Sequence, residues 1–98
     1  MRLNASAVAA ISLMVFGAPD DGPDRERLLH IEVMPLMAEE SCAVTAWLAE
    51  RYLVPSIPAG DRLAYICHRS VPARELAEMR AEAAAHNARA AARLPPDG

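Results

Sequence analysis

MPLMAEESCAVTAWLAERYLVPSIPAGDRLAYIC, residues 34–67, decides the fold. It carries both cysteines of the chain, one early in a helical pattern and one near the end of a strand pattern. Glu39 to Val54 reads as a helix. Glu39 and Glu40 complement the positive end of its dipole, and Pro55 and Pro58 stop it. At about 100° per residue, Cys42, Thr45, Ala46, Leu48, Ala49, Tyr52 and Leu53 share one broad face. Glu39, Glu40, Glu50 and Arg51 fall on the other, with Trp47 among them.

Arg62 to Arg69 reads as a strand, with Leu63, Tyr65 and Cys67 on one side of the pleat and Ala64, Ile66 and His68 on the other. Packing the Leu-Tyr-Cys side against the helix brings Cys67 toward Cys42, and a disulfide between them is expected. Closing that loop stabilises a chain of this size by about 3–4 kcal/mol on chain-entropy grounds. The competing reading is two free, buried thiols in a cytosolic protein.

Upstream, Leu28 to Met34 alternates as a strand, with Leu29, Ile31 and Val33 on one side and His30, Glu32 and Met34 on the other. Pro35 ends it. Strand, helix, strand then gives a two-stranded β-α-β unit, parallel if the strands are neighbours. An antiparallel arrangement with an extra strand near Val54 to Ile57 is the alternative. Downstream, Pro72 to Leu94 reads as an Ala-rich helix with a thin apolar face, flanking the domain. The expected fold class is α+β: a disulfide-tied central helix, two short strands and a flanking C-terminal helix.

Residues 1–18 combine Arg2 with an apolar run from Ala5 to Phe16 and then small residues, the pattern of a secretory signal peptide. A cut after Gly17 suits it best. The run is short for a spanning helix, which needs about 20 residues. An uncleaved membrane anchor and a core helix are the other readings. Residues 19–27 read as a polar linker, 28–94 as one small domain and 95–98 as a tail. Residues 1–27 are expected to contribute little to the folded domain.

The chain has 98 residues, which allows one domain, and a net charge of −3, which disfavours nucleic acid as a partner because phosphate binding needs a basic surface. All ten basic residues are arginines, scattered along the chain. Only four residues are aromatic, one of them tryptophan, so the core should be small.

Groupings that could carry chemistry are weak. Cys67 and His68 are adjacent, but strand neighbours point to opposite faces and cannot form a working dyad. His30, Met34 and Met37 are soft ligands that could suit copper, yet His30 and Met34 lie about 13 Å apart along a strand. Asp20, Asp21 and Asp24 lack the length and closing glutamate of a calcium loop. His86 follows Glu82 by one helical turn and reads as a surface pair. No Ser-His-Asp pattern or glycine-rich phosphate loop is present, and no cofactor is implied.

Trp47 stands out, on the charged side of the helix with Arg51 and Glu40. Cover by the C-terminal helix or by the Arg51 stem are its ordinary readings, and a partner-binding anchor is the functional one, because exposed Trp beside Arg is the composition of interface hot spots. The signal-like start, the Cys pair and the lack of catalytic groupings lead to a non-enzymatic, exported interaction protein of the bacterial cell envelope, periplasmic or secreted, with an unknown protein partner. A membrane-anchored subunit or phage-type envelope protein, its residues 5–16 uncleaved at the inner membrane, and a small periplasmic metal-binding protein are the alternatives.

Overall fold

A computed structural model of the chain describes residues 7–17 and 27–93. The elements run β1 (Val8–Gly17), β2 (Arg27–Leu36), α1 (Ser41–Tyr52), a 3₁₀ turn (Val54–Ser56), β3 (Arg62–Val71) and α2 (Ala73–Arg93). The strands form one sheet in the order β2-β1-β3, with β1 antiparallel to both neighbours.

The fold is α+β, but the sheet has three strands rather than two, and the third is Val8–Gly17. That strand lies upstream of Leu28, where the sequence places the start of the domain. Of the apolar run read as a signal peptide or anchor, the described part, Val8–Gly17, is a strand of the sheet. Ala9 to Leu13 is buried without interruption, and Ile11 is the largest fully buried side chain among the described residues. The physical reason is that a central strand covered on both faces is apolar on both faces, so it loses the alternation that marks a half-buried strand. Cutting after Gly17 would remove the strand that pairs with both others. The linker of residues 19–27 falls mostly outside the described residues, as does the tail of residues 95–98. Among the described residues no helix is long and apolar enough to cross a membrane.

The β-α-β unit survives in altered form. β2 and β3 both run antiparallel to β1, so they are parallel to each other, with β1 inserted between them. Val54–Ser56, near the alternative third strand, is a 3₁₀ turn instead. Pro58 to Gly60 then turn the chain into β3, with the Asp61 N–H donating to the Pro58 carbonyl at 3.1 Å. Gly60 takes φ 96°, a conformation glycine adopts at no steric cost.

α1 covers one face of the sheet, where Cys42, Ala46 and Ala49 pack on Ile11 and Leu13, with Met34, Leu36 and Leu63 around them. The buried stripe is narrower than the broad face expected: Leu48, Tyr52 and Leu53 are exposed. Small residues at three successive contact positions let the helix sit close to the sheet, so only one narrow line of side chains is covered. The Cys42–Cys67 disulfide forms, with the Cα atoms 6.0 Å apart, and joins α1 to β3.

α2 covers the opposite face over β2, and Ala83 is its buried point. Its attachment is polar as well as apolar. The Asn87 side chain accepts from the Ile31 N–H at 2.9 Å and donates to the Ile31 carbonyl at 2.8 Å. His86 Nε2 donates to the Leu28 carbonyl at 2.7 Å, so His86 is half-buried against β2 rather than a surface partner of Glu82.

Candidate functional site

The outward side of α1 is where the sequence and the structure combine most unusually. Its helical phase is set by the buried stripe of Cys42, Ala46 and Ala49. About 180° away run Glu40, Val44, Trp47 and Arg51, spaced four, three and four residues apart, a single ridge along a helix. Glu40 precedes the helix proper but has helical backbone angles, φ −64° and ψ −22°, so it continues the same line. Leu48 flanks the ridge, Tyr52 lies beside it on the last turn, and Val54 follows just past the helix end; all are exposed.

A solvent-facing ridge on a helix is ordinarily polar. Here its centre is Val44 and Trp47, and Trp47 is 55% exposed. The Arg51 guanidinium lies 5.5 Å from the centroid of the Trp47 ring and 5.8 Å from that of Tyr52. Stacking of this kind holds a long cationic side chain over an aromatic face and masks part of it. Glu40 stands at the other end, about 16 Å from Arg51 by helical rise. The structure therefore brings Trp47 and Arg51 together and places Glu40 on their line but apart from them. Glu39, beside Glu40, points instead to β3 and pairs with Arg69 at 3.3 Å.

Sequence reasoning missed the extent of this surface. Helical phase alone places Leu48, Tyr52 and Leu53 on the buried face. Leu48 and Tyr52 flank the narrow stripe of Cys42, Ala46 and Ala49 and stay outside it, and Leu53 follows the last turn of the helix.

The remaining groupings do not assemble. Met34 packs into the core beneath α1, Met37 is fully exposed, and His30 Nε2 bonds the Glu32 carboxylate at 2.7 Å. Cys67 faces α1 through its disulfide, whereas His68 faces the other side of the sheet and shares a 2.9 Å hydrogen bond with Ser12.

Ser12 borders an open groove of about 590 Å³ between α2 and the sheet, lined also by Ile31, Met79, Glu82 and His86. A nucleophilic serine needs free N–H donors for the developing oxyanion. Ser12 lies in mid-β1, where the neighbouring backbone groups are used in ladders to β2 and β3. His86 is engaged with Leu28. The hydrogen bond satisfies a buried hydroxyl on the central strand, which otherwise would cost free energy.

No protein-family model matches the chain, and no curated protein or solved structure shows significant similarity to it.

Proposed function

We propose that this chain is a non-enzymatic interaction module of the bacterial cell envelope, working in the periplasm or outside the cell and engaging a protein partner through the outward side of α1. The observation that carries the reading is the exposed apolar ridge around Val44, Trp47 and Leu48, with Tyr52 beside it and Val54 past its end. Contiguous apolar surface on a small soluble domain marks an interaction site, and an aromatic anchor stacked with arginine is the composition that dominates binding energy.

The compartment is supported by the Cys42–Cys67 disulfide. Such bonds persist in oxidising surroundings and are rare in a reducing cytosol. Because β1 belongs to the sheet, the exported form in this reading retains residues 8–17.

Trp47→Ala tests the reading. The ring contributes to no buried cluster, so the variant should unfold within about 1 kcal/mol of wild type in urea. It should also lose its partner in cross-linking of intact cells. A loss of about 3–5 kcal/mol, the cost of truncating a core tryptophan, would show that the ridge is structural and sink the proposal.

A further inference from the structure

We infer that the occupant of the α1 ridge is a second copy of this chain, docked helix to helix and antiparallel about a two-fold axis. The inference rests on the proposed reading of α1 as a docking surface and names its partner.

The order of residues along the ridge is self-complementary. A two-fold axis through the middle of two antiparallel helices places each residue opposite the one equally far from the midpoint on the other copy. On this ridge the midpoint lies between Thr45 and Ala46. Val44 and Trp47 are equidistant from it, so Val44 of each copy meets Trp47 of the other. Glu40 and Arg51 are also equidistant, so each Glu40 meets Arg51 of the other copy, at both ends of the contact. The result is an apolar centre bounded by two opposite-charge pairs, the arrangement of a specific interface. The spacing of four, three and four is that of antiparallel helices packed by interdigitating ridges.

The charges on the ridge are available for this. Among the described residues Glu40 has no ion-pair partner, whereas its neighbour Glu39 is held by Arg69. Among the described residues Arg51 stacks on the faces of Trp47 and Tyr52, which leaves its guanidinium edge for a carboxylate. Within one copy Glu40 and Arg51 are too far apart to satisfy each other. An isologous contact lets one short helix satisfy both, and the same patch serves both subunits.

Sedimentation equilibrium of the full, disulfide-bonded chain across the micromolar range tests this, with the emission of Trp47, the only tryptophan, followed in parallel. Wild type should dimerise, with Trp47 emission shifting to the blue as it does. Glu40→Arg and Arg51→Glu should each weaken the dimer about tenfold or more, by setting like charges opposite each other twice. The double variant should recover most of the loss. Recovery cannot come from the helix dipole, because the acid at the N-terminus stays absent. A dimer indifferent to both charge reversals would overturn the inference, and so would a chain that stays monomeric throughout. If the chain is monomeric and Trp47→Ala is as stable as wild type, only the second copy is excluded and α1 remains a docking surface. If Trp47→Ala unfolds, the reading of α1 falls with it.

Discussion

Asn87 does for β2 what a fourth strand would do. β2 is an edge of the sheet, and an edge strand presents unpaired N–H and C=O groups that invite pairing with other chains. The Asn87 carboxamide meets both groups of Ile31, accepting at 2.9 Å and donating at 2.8 Å, in the manner of a peptide unit. His86 takes the Leu28 carbonyl on the same edge, and Pro35 has no N–H to leave unpaired. Asn87→Ala should therefore cost about 1–3 kcal/mol, because it strands two backbone groups that are partly shielded from water by α2. Asn87→Asp should cost a similar amount: it keeps the acceptor for the Ile31 N–H but sets a carboxylate against the Ile31 carbonyl. Urea unfolding of the two variants checks this, and a change below about 0.5 kcal/mol in both, the range of ordinary surface substitutions, would mean that water replaces the side chain at no loss. Nothing local marks Asn87. It lies among alanines in a polar helix, and its partner is 56 residues away, so its role depends on where α2 lands.

The elements were legible to very different degrees. The helix around Cys42 and the strand around Cys67 carry clear periodicities, and with them the disulfide could be read. Its helix is shorter than expected, Ser41–Tyr52, because Glu39 and Glu40 form a turn leading into it. β1 was not legible as a strand. Its residues VAAISLMVFG are apolar on both faces, α1 lying over Ile11 and Leu13 and α2 over the Ser12 side. A run of that kind is read equally well as a leader, an anchor or a core segment, and only the pairing partners decide. β1 has two, and each ladder contains one irregularity, between Val15 and Phe16 toward β2 and between Val8 and Ala10 toward β3. The consequence is testable at the level of the element. Ile11→Ala should destabilise the domain by about 2–5 kcal/mol, as expected for a fully buried aliphatic side chain. A chain beginning at residue 18 should lose cooperative unfolding and near-ultraviolet circular dichroism altogether. A truncated chain that folds with wild-type stability would return β1 to the status of a removable segment.

At the scale of the molecule, the two sides of the sheet are held by different means. α2 is long and clipped to β2 by side-chain hydrogen bonds. α1 is short, buries only Cys42, Ala46 and Ala49, and begins without a side-chain cap. Burial of three small side chains gives little free energy at about 25 cal/mol per Å², and the rest of α1 faces outward, where the apolar ridge contributes nothing to the monomer. What keeps α1 in place is the covalent tie to β3, across a sequence separation of 25 residues. A loop of that length is worth about 3–4 kcal/mol on chain-entropy grounds, a large share of the roughly 5–15 kcal/mol that small domains possess. Reduction should therefore lower stability by about that amount and should act unevenly. Amides of α1 should lose hydrogen-exchange protection first, while those of β1, β2 and α2 keep theirs. The same loss should appear in a chain with both cysteines changed to serine, measured by urea unfolding with and without reductant. If the reduced chain unfolds within about 1 kcal/mol of the oxidised one, the small-residue contacts hold α1 unaided, and the stability argument for an oxidising compartment goes with the tie. If α1 loosens as expected, a reducing compartment disperses the ridge of Val44, Trp47 and Arg51. The surface is then assembled only where the disulfide can form, which couples its presentation to the compartment in which a partner would meet it.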